Sequence, residues 1–320
     1  SRGTRRVNRP RDYPDSYLLL DPGPAHPVEL WSIKRLPFEP IGWLKRMRED
    51  LREAVRTLEC GSDEVLHATY VSNVNQACDA ENILFYNVGA SYFTRSSSGG
   101  LRFERAFSEP PPLPRPLKER FGHYQCYGPV KRQDGFVYWR SRSKLIQWEM
   151  SSEALGPSTS ATSIWYWMKR GMSGTTAAIE GEPSRFGLSV TLHAPSGWVL
   201  NPAALIKPLF DGIIAAFHSH DGSMLEQVSD RVARKLDVDA SEVAGHLLSD
   251  SVAVLGSRRL VWPWGKSVQW NPADDRCVAA ELVVYTDKNR NGLWRLSGEL
   301  FELDEKAPKA QPEPSPPASA

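Results

Sequence analysis

Cysteine is scarce in this chain: Cys60, Cys78, Cys126 and Cys277 are the only four in 320 residues, and no two stand at Cys-x-x-Cys spacing. That argues against a disulfide framework and a structural zinc site, and it suits a reducing cytoplasm. No stretch approaches the roughly 20 apolar residues of a membrane helix, so no membrane partner is expected. Neither sign of charge dominates. Thirty-nine Lys and Arg against 38 Asp and Glu leave a net charge of +1, so any binding to nucleic acid must use local patches rather than a global field. The Gly-rich phosphate loop, the dinucleotide fingerprint, the nucleophile elbow and His-Glu-x-x-His are also missing, which counts against kinases, NTPases, dehydrogenases and serine hydrolases. Residues 1–15 lack the apolar core of a signal peptide, and a cytoplasmic location is expected. The sequence begins at Ser1 rather than Met, which leaves open whether residues precede it.

What is present is ordinary globular composition, 41% hydrophobic and 24% charged, with eleven Trp to fill cores and interfaces. The pattern of elements indicates an α+β fold of mixed or antiparallel sheets with packed helices. Residues 1–16, with Arg2, Arg5, Arg6, Arg9 and Arg11, read as a flexible basic arm. Residues 17–108 read as an amino-terminal α/β lobe, and the Pro-rich stretch 109–117 as a stiff polyproline spacer and boundary. Residues 118–200 read as an antiparallel β region, 201–303 as a carboxy-terminal α/β lobe with a helical hairpin, and 304–320 as a disordered tail.

Within these limits, strands are expected at 17–20, 28–33, 67–71, 83–88, 122–130, 136–149, 164–169, 187–193, 259–262, 278–285 and 293–303. A helix opens at Pro40 and runs to Leu58, with Ile41, Leu44, Leu51, Val55 and Leu58 on one face. Residues 151–163 read as a loop. Asn201 and Pro202 open a further helix that Pro208 interrupts, followed by a second segment to His218. Ser223 with Glu226, and Asp239 with Glu242, have the form of capping boxes that open helices ending at Leu236 and Leu248. A Pro-led helix followed by an acidic turn and an apolar strand occurs after Pro40 and again after Pro208, which suggests a degenerate internal duplication.

Three patterns point to chemistry. Across residues 230–248, Ala233, Leu236, Val238, Val243 and Leu247 face inward from two helices joined by a tight turn, and the segment resembles the helix-turn-helix of bacterial regulators. Asp237 takes the turn position usually held by Gly, and the reading helix offers Ser241, Glu242, Gly245 and His246 with no Arg or Lys.

The second pattern is a basic, aromatic strand. Alternation places Tyr138, Arg140, Arg142 and Lys144 on one face, with Lys131 and Arg132 nearby. Cations beside aromatics are what phosphates and bases require, so these six residues are the candidate nucleic-acid contacts.

The third pattern is acidic. Lys207-Pro208-Leu209-Phe210-Asp211-Gly212, followed by Asp274-Asp275 ahead of a strand, resembles the RusA-type Holliday-junction resolvases over residues 203–285. That family carries a Lys-Pro-Asp-x-Asp-Asn turn and a later acidic pair, whose carboxylates hold a divalent metal for phosphodiester hydrolysis. Leu209 stands at the first acidic position here and Gly212 replaces the Asn. The resemblance implies Asp211, Asp274 and Asp275 as metal ligands, Mg2+ as cofactor and Lys207 as a charge-stabilising catalytic residue. Asp79-Ala80-Glu81-Asn82 has the acid-x-acid-Asn shape as well, but in the other half. Three functions are therefore expected: a non-catalytic nucleic-acid-associated or complex-forming protein, a divergent metal-dependent nuclease, or a protein-binding scaffold subunit. Whether it is an enzyme stays open at this point.

His218-Ser219-His220-Asp221 misses the His-x-His-x-Asp-His spacing by one place. Two His near a helix end are explained by the dipole there. Asp287–Gly292 has calcium-loop spacing without its bidentate acid, and Asn291-Gly292 reads as a hairpin turn.

Overall fold

The computed structural model describes residues 16–74, 78–113, 121–152, 160–172, 183–198, 200–286 and 293–306. All of the basic arm but Ser16 and nearly all of the tail lie outside these residues, as do 153–159 of the loop expected at 151–163, whose ends belong to a strand and a helix, and the turn at 291–292.

The fold is α+β, organised by one nine-stranded mixed sheet. Its strands are β1 (Tyr17–Leu20), β2 (Val28–Ser32), β3 (Glu64–Val71), β4 (Gly100–Ala106), β5 (His123–Lys131), β6 (Trp139–Ser152), β7 (Phe186–Ala194), β12 (Cys277–Thr286) and β13 (Trp294–Glu305), in the order β1-β2-β5-β3-β4-β12-β7-β13-β6. Because β5 lies between β2 and β3, the Pro-rich stretch is a link within this sheet and marks no boundary between lobes.

The pairing pattern divides the sheet elsewhere. Strands β3 and β4 are parallel, β5 is antiparallel to β3, and β2 is antiparallel to β5. Strands β7, β12, β13 and β6 repeat these relations one for one. The two halves meet at the antiparallel pair β4–β12, so the topology has an approximate two-fold about that seam. The matching helices are α1 (Trp43–Arg56), between β2 and β3, and α2 (Ala161–Gly171), between β6 and β7. The echo expected from Pro40 and Pro208 therefore paired helices that are not counterparts.

One face of the sheet carries the main core. Leu66, Ala68 and Tyr70 of β3, Leu101 and Phe103 of β4, and Leu188, Val190 and Leu192 of β7 point to it, alternating with polar neighbours. Against them pack α1, α2 and α3 (Pro202–Ala216). On the opposite face Glu104 is fully buried, bonded to His67 Nε2 at 2.9 Å and to the backbone N–H groups of Val137 and Tyr138.

Four local readings are corrected. Residues 164–169 belong to helix α2, capped by Ser160, although Ile-Trp-Tyr-Trp has β propensity. Residues 83–88 are not a strand: Asn82–Tyr86 is a π-helical turn followed by a 3-10 turn at Ala90–Phe93. A short apolar run cannot be assigned by periodicity alone. Pro208 does not interrupt α3, which runs unbroken past it. Ser223 forms no capping box, since its hydroxyl and N–H both go to Asp221, and Met224, with φ 54°, precedes helix α4 (Leu225–Leu236).

Between α3 and β12 the second half carries an insert without counterpart in the first. It comprises β8 (Ser219–His220), α4 (Leu225–Leu236), α5 (Ala240–Leu248), β9 (Ser257–Arg258) and a hairpin of β10 (Val261–Trp264) and β11 (Ser267–Trp270). Among the described residues no helix is long and apolar enough to cross a membrane.

Candidate metal centre

The topology explains which acids meet. Strand β3 ends, and β12 begins, at the same end of the sheet, because β4 is parallel to β3 and antiparallel to β12. The chain leaving β3 carries Asp79 and Glu81 into the first helical turn, and a short 3-10 turn at Asp274–Arg276 leads into β12. Helix α3 starts from the opposite end, where β7 finishes, and places Lys207 and Asp211 one turn apart on the same side.

Lys207 Nζ lies at the centre of this group. It donates to Asp211 Oδ1 at 2.9 Å, Asp274 Oδ2 at 3.0 Å, Glu81 Oε1 at 3.2 Å and Asp79 Oδ2 at 3.4 Å. An ammonium has three protons for these four acceptors, and four carboxylates outnumber it in charge. Carboxylate oxygens of Asp79, Glu81 and Asp274 also lie within 4.8 Å of one another.

The surplus shows in proton affinities. Burial pushes Glu81 up to about 8, Lys207 opposes that, and the neighbouring acids add to it. Burial likewise lifts Asp211 to about 6 and raises Asp274. Burial works against the Lys207 charge, but Glu81, Asp211, Asp274 and Asp79 outweigh it and hold the ammonium firmly protonated. The buried Cys277 thiol beside the cluster is raised by burial and then by Glu81, Asp274 and Asp79.

Surrounding bonds fix the segments that carry the acids. Arg105 donates to the Cys78 carbonyl at 2.9 Å, and Asn82 to Asp79. His218, wholly buried, donates from Nδ1 to the Gly256 carbonyl at 3.1 Å and accepts the Ala273 N–H on Nε2 at 3.3 Å. His220 bridges in the same manner between the Ser223 carbonyl and the Leu260 N–H. These two His are internal pins for the segment before Asp274, and a helix dipole is not needed to account for them.

Of the residues expected at the acidic site, Lys207, Asp211 and Asp274 are brought together. Asp275 is not: it is exposed, and its N–H donates to Asp274 Oδ1 at 3.1 Å. Asp79 and Glu81, from the first half of the chain, complete the group around Lys207. The acid-x-acid-Asn turn was the only sequence signal for them.

On the basic strand, the cations are matched by acids. Arg140 faces Asp304 at 3.7 Å, Lys144 faces Glu299 at 3.0 Å, and Lys131 holds Asp63 at 2.8 Å and Glu64 at 3.4 Å. Arg132 lies over the Tyr285 ring, Tyr138 is half-buried, and Arg142 is exposed. Irregular β6–β13 pairing near Lys144 also breaks the expected alternation, so Ile146, Trp148 and Met150 turn inward.

In the helix-turn-helix-like segment, Asp237 does adopt the left-handed conformation, with φ 56°. Helix α5, however, is turned towards α2: Glu242 accepts from the Tyr166 hydroxyl at 2.9 Å and faces Arg170 at 3.7 Å.

No protein-family model, no curated protein and no solved structure matches this chain.

Proposed function

We propose that the protein is a metal-dependent phosphodiesterase acting on nucleic acid. The observation that carries this reading is the convergence of Asp79, Glu81, Asp211 and Asp274, from three separate segments, around Lys207. The residues fit a hard divalent cation such as Mg2+ or Mn2+. Every donor is a carboxylate oxygen, negative charge exceeds the single ammonium, and Asp79, Asp211 and Asp274 remain partly open to solvent.

Asp79, Glu81 and Asp274 would hold the ion, which when bound supplies charge stabilisation to a phosphoryl group and acidifies water. Asp211, held 2.9 Å from Lys207 Nζ beside these three acids, would take the proton of an attacking water. Lys207 offers a permanent positive charge to a non-bridging phosphate oxygen. The competing reading makes Lys207 the built-in counter-ion of a purely structural hub.

One assay separates them: cleavage of branched and single-stranded DNA in Mg2+ or Mn2+. Cleavage that chelator stops, and that Asp274→Asn and Glu81→Gln each reduce at least 100-fold, supports the metal centre. Absence of cleavage on every substrate, with no divalent ion bound, leaves the hub.

A further inference from the structure

The hairpin of the insert has two unlike faces. Val261, Val268 and Trp270 point inward, and Trp270 packs on Trp165 with ring centroids 5.0 Å apart. Trp262 and Trp264 alternate with them and point outward, across from Gln269 and Ser267. Trp264 is 66% exposed at the tip. Trp262 is half-buried, but neither it nor Trp264 belongs to the main core.

Alternate residues on a strand are about 6.8 Å apart, twice the roughly 3.4 Å between stacked bases. Two outward Trp at that spacing make a flat platform for bases. Their support is rigid. Gly265, with φ 52°, takes the first position of a two-residue turn that a side chain would strain. Arg231 clamps the turn from below through the Gly265 and Ser267 carbonyls, at 2.6 and 2.9 Å.

Charge selects the occupant. Residues 251–273 contain Arg258, Arg259 and Lys266 and no Asp or Glu. The Arg259 guanidinium lies 5.9 Å over the Trp262 ring, and Lys266 is exposed beside Trp264. One acid outside the segment, Asp221, feels Arg259, though its main partner is Ser223. The hairpin is also continuous with the metal centre. Strand β11 passes through Asn271, tied to the Leu260 carbonyl at 2.8 Å, and Ala273, tied to His218, directly into Asp274. Eight residues from Lys266 to Asp274 limit the separation to about 29 Å.

We propose that this hairpin grips unpaired nucleotides of a nucleic acid, with Trp262 and Trp264 stacking on bases and Arg259 and Lys266 meeting phosphates, and so presents the strand to the acid cluster. The choice of a nucleic acid over another anion rests on reading that cluster as a phosphodiester centre.

The test uses the full chain in chelator, where the acid cluster carries no ion. The probes are a 20-nucleotide single-stranded dT oligonucleotide and a duplex of equal length, followed by tryptophan emission. The single strand binds more tightly than the duplex and quenches emission. Trp264→Ala weakens binding about ten-fold or more with an unchanged melting temperature, and Trp264→Phe retains most of the affinity. Lys266→Ala lowers the salt slope by about 0.7, the value for one lost phosphate contact on a single strand. Wild-type affinity in Trp264→Ala, or no preference for the single strand, overturns the proposal and assigns the exposed tryptophans to a protein partner. Binding of this kind without metal-dependent cleavage would remove the phosphodiesterase and keep the hairpin. Cleavage with Trp264→Ala binding as wild type would do the reverse.

Discussion

Glu81 is a carboxyl that holds its proton where most have lost it. Its folded value of about 8 stands above the usual 4.3 or so, as does that of Asp211 at about 6. Between those limits these two carboxyls bind more protons in the folded chain than in the unfolded one, so their contribution to the stability of the ion-free protein falls as pH rises from about 4 to 8. A smaller opposite contribution comes from His123 and His246, whose protonation burial disfavours. Thermal denaturation in chelator should show a melting temperature falling across that window. Mn2+, which replaces protons among the carboxylates, should flatten the curve and raise it at pH 8. Glu81→Gln, a neutral isostere, should melt at or above wild type at pH 8 and abolish both the Mn2+ effect and cleavage. A wild-type curve that climbs through this window would contradict the assignment of buried, proton-holding acids.

At the scale of elements, α3 is positioned by close approach. A Cβ on Gly212 would stand 2.5 Å from Ile164 Cβ and 2.8 Å from the Ala161 carbonyl, so α2 lies directly against α3 one residue beyond Asp211. Gly212→Ala should therefore cost about 1–3 kcal/mol in denaturant titration and lower activity by displacing Asp211 and Lys207. Unaltered stability would mean that α2 yields. Much of the sheet was legible from the sequence, because β1, β2, β7, β12 and β13 alternate or run apolar in the ordinary way. Strand β4 was not, since Arg102 and Glu104 are buried in it. Arg102 is satisfied by Glu281, 179 positions away, and by the Arg132 carbonyl, and Glu104 by His67 and the backbone before β6. Helix α2 was hidden by aromatics that favour strands, and its place is decided by packing on α3. The acid cluster was half legible. Lys207, Asp211 and Asp274 stood in a recognisable pattern, while only the β4–β12 seam brings Asp79 and Glu81 to them.

On the scale of the whole molecule, the described residues place an acid group at one end of the approximate two-fold and not at the other. The related position at the other end of the sheet brings Asn201 to the Ala90 carbonyl at 3.3 Å and Thr94 Oγ1 at 3.0 Å, with Ser96 and Ser97 buried nearby. Among the described residues no second group of three acids is close enough to share an ion. If the proposed centre acts singly in a monomer, it makes one cut per encounter. Supercoiled plasmid treated with limiting enzyme should accumulate open circles before any linear form, and linear product at the earliest times would contradict that. A phosphodiesterase of this kind requires Asp79, Glu81 and Asp274 to take a divalent cation. Crystals soaked in Mn2+ and measured at its absorption edge test this directly. An anomalous peak bracketed by these three carboxylates, with Lys207 displaced from their midst, is the predicted result. A map without that peak, with the Lys207 ammonium still central, would contradict it.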